Sequence, residues 1–285
     1  MEFETVISQA TARDHLDDAS WLFVDCRFFI REPDRGEREH EQSHIAGSVY
    51  AHLDRDLSGP IIRGKTGRHP LPSPRELASA MRRLGVSPQT QVVAYDESTG
   101  GMAAARLWWL LRWAGHDRVA VLDGGFTRWC AMGFPRATGV EHHAPGSFAA
   151  CPRPGMAFDA DDVLAALDDP RYIVLDARAE ERYRGVNETI DPVAGHIKGA
   201  FSAPYMDNLR DDGCFKSPRE LGERFEKLAE NRDADHTVFY CGSGVTAAHN
   251  ILAFAVAGRG MAKLYPGSWS EWIIDPRRPI AVGGS

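Results

Sequence analysis

At 285 residues, 43% of them hydrophobic and 26% charged, the chain has the composition of a soluble globular protein and the length of two domains rather than one. A net charge of −7 without a Lys/Arg stripe argues against a nucleic-acid partner, and no apolar run approaches the roughly 18–20 residues of a membrane span. Five scattered cysteines (Cys26, Cys130, Cys151, Cys214, Cys241), with no C-x-x-C pair, exclude a metal ribbon and speak against a disulfide framework. The acidic, polar start "MEFETVISQATARDHLDD" reads as neither a secretory signal nor an Arg-rich transit peptide, so a reducing cytoplasm is the expected location.

Taken in order, the chain reads as β-branched runs alternating with helices, the pattern of a parallel sheet covered on both faces. "WLFVDCR" closes on Asp25, and "SHIAGSVYAHLD" follows from Ser43. "SPRELASAMRRLG" predicts a helix, Val92–Tyr95 a strand, and Val119–Leu122 another strand running into "VLDGGFTRW". All of these return in the second half. "RYIVLDAR" closes on Asp176, "GHIKGAFSAPYMD" starts at Gly195, and "SPRELGERFEKLAE" is again helical; Ile173–Leu175 and Val238–Tyr240 are strands, and "LYPGSWSEW" ends the series. The offset between matched positions lies between 143 residues (Gly124 to Gly267) and 152 (His44 to His196). A repeat this long is a whole domain. The expected organisation is therefore an N-terminal domain over 1–138, a Gly/Pro-rich linker over 139–155, and a C-terminal domain over 156–285, in the α/β class.

The segment "VFYCGSGVTAAHN", Val238 to Asn250, places a cysteine among small residues between a strand and a helix starting near Thr246. Gly242 to Ala247 fits G-x-G-x-x-[GA], but the acidic residue a dinucleotide site needs about 20 positions on is missing. A cysteine phosphatase loop, C-x5-R, needs an arginine where Ala247 stands. A reactive sulfur asks for less. Amides of Gly242, Gly244, Val245 and Thr246 can converge on the Cys241 sulfur, and the following helix directs its positive end at the same point; both favour a thiolate. Both glycines are expected to supply positive φ.

These residues resemble a known family. "CGSGVTA" is similar to the active loop of the 3-mercaptopyruvate sulfurtransferases within the rhodanese family. "HIAG" and "HIKG" resemble its H-I-x-G element, and two tandem copies with cysteine only in the second are its layout. The resemblance implies two rhodanese-like domains, no metal or organic cofactor, and Cys241 as the nucleophile that carries a sulfane sulfur as a persulfide. The first copy, with Asp96 in the cysteine's place in "YDESTGG", is expected to be catalytically silent. Partners would be a small-molecule sulfur donor and a thiol acceptor, either a small thiol or a thioredoxin-like protein, with cyanide as the assay acceptor. Arg182 in "ERY" matches the family's first substrate-binding arginine; Arg178 and Arg184 read as ion-paired surface. The family's second arginine, nine residues on, is Asp191 here, which leaves mercaptopyruvate and thiosulfate both open as donors and a non-enzymatic persulfide relay as the rival. His44 matches a histidine that could activate Ser243, with Asp34 as orienter. Its recurrence as His196 equally suits a histidine that bonds backbone.

Overall fold

The computed structural model describes residues 2–284. They form two compact units, each assembled from non-contiguous stretches. Unit 1 comprises Met1–Gly59, Leu71–Arg153 and Asp211–Phe215; unit 2 comprises Pro60–Pro70, Pro154–Arg210 and Lys216–Ser285. The contiguous 1–138 and 156–285 boundaries expected from the repeat therefore differ from the units found, because a short segment of each half packs with the other. The expected linker is also not a free one. Gly146, Phe148 and Cys151 donate their amides to the carbonyls of Arg82, Val86 and Ala114 at 2.8, 3.0 and 2.8 Å, and Phe148 is buried. A Cβ on Gly146 would stand 2.0 Å from the Val86 oxygen, so only glycine lets the chain lie this close to unit 1.

Unit 1 is built on a parallel sheet of β1 (Val6–Ile7), β2 (Trp21–Asp25), β3 (Val49–Tyr50), β4 (Gln91–Tyr95) and β5 (Val119–Leu122), in the spatial order β1-β5-β4-β2-β3. Unit 2 repeats it with β6 (Ile173–Asp176), β7 (Phe201–Ser202), β8 (Thr237–Tyr240) and β9 (Lys263–Leu264), in the order β7-β6-β8-β9. Every residue of β4, β5, β6 and β8 is buried, as expected of aliphatic runs covered on both faces. Helices α1 (Pro74–Leu84) and α3 (Pro218–Leu228) start alike: Ser73 and Glu76, then Ser217 and Glu220, form reciprocal capping boxes ahead of a proline in the first turn. α1 buries Leu77, Ala78, Met81 and Leu84, the i, i+4, i+7 spacing of one helix face. α2 (Ala104–Trp113) follows β4, and α4 (Thr246–Val256) follows β8.

The duplication extends to buried ions. At the end of β2, Arg27 Nη2 donates to Asp25 Oδ2 at 2.6 Å and to the Ser43 carbonyl at 2.7 Å. At the end of β6, Arg178 Nη2 donates to Asp176 Oδ2 at 2.6 Å and to the Gly195 carbonyl at 2.7 Å. Asp25 and Asp176 thus tie the ends of their strands, through the arginines, to the chain at Ser43 and Gly195. Arg178 is no surface ion pair: it is buried, with its guanidinium 4.9 Å from the Trp269 ring centroid. Tyr95 and Tyr240 take matching places as well, accepting the amides of Ile45 and Ile197 at 3.2 and 3.1 Å.

In unit 1 the loop after β4 closes on Asp96. Gly100 N–H donates to its Oδ1 and Met102 N–H to its Oδ2, each at 2.8 Å. Burial outweighs these amides and pushes the carboxyl up to about 6.

Two expectations follow. Replacing Arg178 with alanine strands the Asp176 charge in the core and should cost roughly 3–5 kcal/mol in urea unfolding; a loss under about 1 kcal/mol would show that the pair braces nothing. The raised Asp96 carboxyl stabilises the folded state fully below its unfolded value near 4, and that contribution disappears as pH rises through about 6. Carboxyl NMR should place its midpoint near 6, with roughly 3 kcal/mol of stability lost across the window.

Candidate active site

The site is built where β8 ends. Cys241 to Val245 are all buried, and the Gly244 amide donates to the Cys241 sulfur at 3.2 Å. This contact depends on Gly244 at φ +74°, where a Cβ would stand 2.4 Å from the Pro266 carbonyl oxygen. Gly242 does not share that conformation, contrary to the sequence expectation. Its need is for room: a Cβ there would sit 2.9 Å from Arg68 Nη2 and 3.6 Å from Arg182 Nη1. The loop is held from behind by the turn after β9. Ser268 Oγ accepts the Cys241 amide at 3.1 Å and donates to the Tyr265 carbonyl at 2.8 Å, while Trp269 and Ser270 donate their amides to the Cys241 and Gly242 carbonyls. Ser268 pays for this with φ +53° in a fully buried position. α4 opens at Thr246 with no capping side chain, so the first amides of its eleven residues and its positive dipole end are directed at the loop.

Ser243 lies beside the cysteine, 6% exposed, with its Oγ 2.7 Å from Nδ1 of buried His69. His69, not the expected His44, is therefore the histidine that engages the serine. His44 bonds backbone, its Nδ1 2.6 Å from the His40 carbonyl oxygen, and its ring stacks on His40 at 4.0 Å. His196 does the same in unit 2: Nδ1 is 2.8 Å from the Tyr183 carbonyl oxygen and the ring stacks on Tyr183 at 3.8 Å. The repeat had offered this alternative. Nor does Asp34 orient His44; it is exposed, 3.7 Å from His52. One signal could have pointed to His69. His44 to Ser73 spans 29 positions, whereas the matching His196 to Ser217 spans 21, so the first half is longer by eight positions, and the insertion falls in "PIIRGKTGRHP", which the repeat does not explain.

That insertion is the Pro60–Pro70 segment of unit 2. It seats closely: a Cβ on Gly67 would meet the Gly267 carbonyl oxygen and Ser270 Oγ at 2.6 Å, and the Arg68 amide donates to Ser270 Oγ at 3.1 Å. Arg68 thereby reaches the expected substrate arginine. Arg182, on the turn Glu180–Tyr183, donates from Nε to Glu188 Oε2 at 3.0 Å and from Nη2 to Asp191 Oδ2 at 2.9 Å. The other oxygen of Asp191 accepts from Arg68 Nη1. Arg184 is exposed and outside this group, and Trp269 is a core residue, fully buried with its Nε1 donating to the Val193 carbonyl. Among the described residues no group of His, Cys, Asp and Glu is arranged to hold a metal ion, and no helix is long and apolar enough to cross a membrane.

The arrangement offers a nucleophilic sulfur, a proton-bearing hydroxyl with a histidine behind it, and paired cations, all within one unit. If the Gly244 amide supports the sulfur as an anion, Gly244→Ala should slow alkylation of Cys241 by a small haloacetamide about tenfold and cost roughly 1–3 kcal/mol of stability. Wild-type alkylation rates in that variant would remove the amide from the argument.

A rhodanese-like domain model matches residues 8–132 and again 159–275. Over 269 residues the chain is 48% identical to a probable 3-mercaptopyruvate sulfurtransferase of Pseudomonas aeruginosa, covering 94% of each sequence. It is 39% identical over 264 residues to a putative thiosulfate sulfurtransferase of Mycobacterium tuberculosis, covering 91% of this chain and 90% of that one. The crystal structure of a 3-mercaptopyruvate sulfotransferase from Escherichia coli superposes with a TM-score of 0.81 at 30% identity, covering 94% of this chain and all of that one. With both halves matched and this likeness running almost end to end, the chain belongs to the rhodanese family, in two tandem copies.

Proposed function

We propose that the protein is a sulfurtransferase that takes sulfur from 3-mercaptopyruvate onto Cys241 as a persulfide and passes it to a thiophilic acceptor. The observation that carries this reading is the Cys241 sulfur, 3.2 Å from the Gly244 amide, with the next residue but one, Ser243, bonded to His69. The Cys241 thiolate attacks the donor's sulfur. A sulfur–sulfur bond forms, the donor's carbon–sulfur bond breaks, and its electron pair leaves as the enolate of pyruvate. That enolate needs a proton. The Ser243 hydroxyl can deliver it and be reprotonated from His69, which makes the pair a general acid for carbon–sulfur cleavage. In the second half-reaction the acceptor attacks the outer persulfide sulfur, and Cys241 leaves as thiolate. Arg182 is the proposed cation for the donor's carboxylate, and the amides of Gly242, Gly244, Val245 and Thr246 face the anion that forms.

Thiosulfate is the second reading, supported by the same cysteine and by the cations near Gly242. It loses sulfite, a leaving group that requires no proton, so it makes no use of the Ser243–His69 pair. In unit 1 the equivalent loop closes on Asp96, a carboxylate with no sulfur to transfer, and we assign no chemistry to it. The acceptor is proposed to be a small thiol or a thioredoxin-like protein. None of the five cysteines forms a disulfide, which supports the expected reducing cytoplasm.

Thiocyanate formation from each donor tests this. Cys241→Ser should abolish turnover with both donors, and activity surviving in that variant would displace the cysteine from the mechanism. Ser243→Ala should lower kcat for mercaptopyruvate by about 10²–10⁴-fold while sparing thiosulfate. Equal losses with both donors would leave the serine no role in proton delivery, and wild type inactive with both would favour a non-enzymatic persulfide relay.

A further inference from the structure

The Asp191 carboxylate is almost fully buried, its side chain 1% exposed, yet it is aimed into the site and bridges two arginines from distant parts of the chain. Arg182 reaches it from the turn after β6, and Arg68 from the Pro60–Pro70 segment. The bridge uses one terminal nitrogen of each guanidinium. The remaining terminal nitrogens, Arg68 Nη2 and Arg182 Nη1, lie beside Gly242, 2.9 and 3.6 Å from where its Cβ would be. Arg68 Nε is also buried without a hydrogen-bond partner. Two cations this close repel one another, and a buried donor left unsatisfied is costly; both conditions are relieved by an anion next to Cys241.

The charges around them limit which anion. Arg182 also pairs with Glu188, which in turn lies 3.4 Å from Arg178, itself held by Asp176. Arg68, Arg178 and Arg182 are thus balanced by Asp176, Glu188 and Asp191, and the network is neutral. A donor with one negative charge leaves it at −1, whereas a dianion drives it to −2 beside carboxylates that are themselves almost fully buried.

We propose that Arg68 is the second donor-binding guanidinium of this site, and that Asp191 aligns it with Arg182 while lowering the clamp's charge so that monoanionic carboxylate donors are selected over dianions. Arg68 reaches the loop from a segment of the first half, and so takes up the work of a cation that the sequence around residue 191 lacks. Asp191 is a positioning residue that acts through the two arginines. The inference rests on the proposed donor chemistry, and the two can be tested apart.

The experiment measures the half-reactions separately: gain of one sulfur on Cys241 from mercaptopyruvate or thiosulfate, followed by mass spectrometry, and discharge to cyanide of a persulfide preloaded with polysulfide. Arg68→Ala should lower kcat/KM for persulfidation by mercaptopyruvate about 10–100-fold, mainly through KM, and leave discharge unchanged. Arg68→Lys should recover part of the loss, since it keeps the charge but not the fork. Asp191→Asn should raise the thiosulfate-to-mercaptopyruvate ratio of kcat/KM about tenfold. A loss under about threefold in Arg68→Ala, equal losses in both half-reactions, or an unmoved donor ratio in Asp191→Asn would overturn the clamp. Wild type that gains no sulfur from either donor would instead overturn the donor reading, and the clamp with it.

Discussion

Backbone amides that converge on one point at the end of a buried strand need an acceptor there, and the two halves of this chain supply different ones. After β4 the amides of Gly100 and Met102 close on the Asp96 carboxylate. After β8 the Gly244 amide meets the Cys241 sulfur. The surrounding architecture is common to both: a fully buried strand, a tight loop, and a helix whose positive end faces the loop. Whichever group fills the cradle decides whether a half can do chemistry. A carboxylate can satisfy the amides but cannot carry a sulfane sulfur, while a sulfur can satisfy them and still form a bond with a second sulfur.

The rest of the structure keeps that loop in place. Asp176 and Arg178, buried together at the end of β6, tie the neighbouring strand to the Gly195 carbonyl. Ser268 holds the Cys241 amide from a strained backbone position, and glycine at 244 lets the chain pass within contact of Pro266. Burying this many charges is expensive unless each is paired, and around this loop Asp176, Glu188 and Asp191 each face a guanidinium. The same rule operates at the site mouth, where Asp191 joins Arg182 to Arg68. Binding geometry and loop stability therefore share one electrostatic network, so donor preference can be changed by residues that never touch the reacting sulfur.

Much of this was legible in the chain itself. The repeat, the four central buried strands, the capping boxes and the cysteine loop are local patterns, and each reflects a local cause: burial on both faces, a serine three residues before a glutamate, small residues where amides must converge. The sequence leaves His44 between activating Ser243 and bonding backbone because its motif recurs as His196, and both histidines bond backbone. Arg178 was read as surface because a charged residue in a polar stretch carries no local sign that its partner lies two residues back inside the core.

The sequence alone located the cysteine loop at Cys241, showed that only the second half carries a cysteine there, and through the family resemblance pointed to Arg182 as its neighbour, since these follow from one motif and one repeat. Tertiary structure decided which histidine meets Ser243 and what Asp191 does. Both answers come from Pro60–Pro70, an insertion in the first half that packs with the second, bringing His69 and Arg68 to partners 174 and 123 positions away. No periodicity encodes such an exchange. It depends on the fit of Gly67 against Gly267 and on the pairing of charges that must not be buried alone.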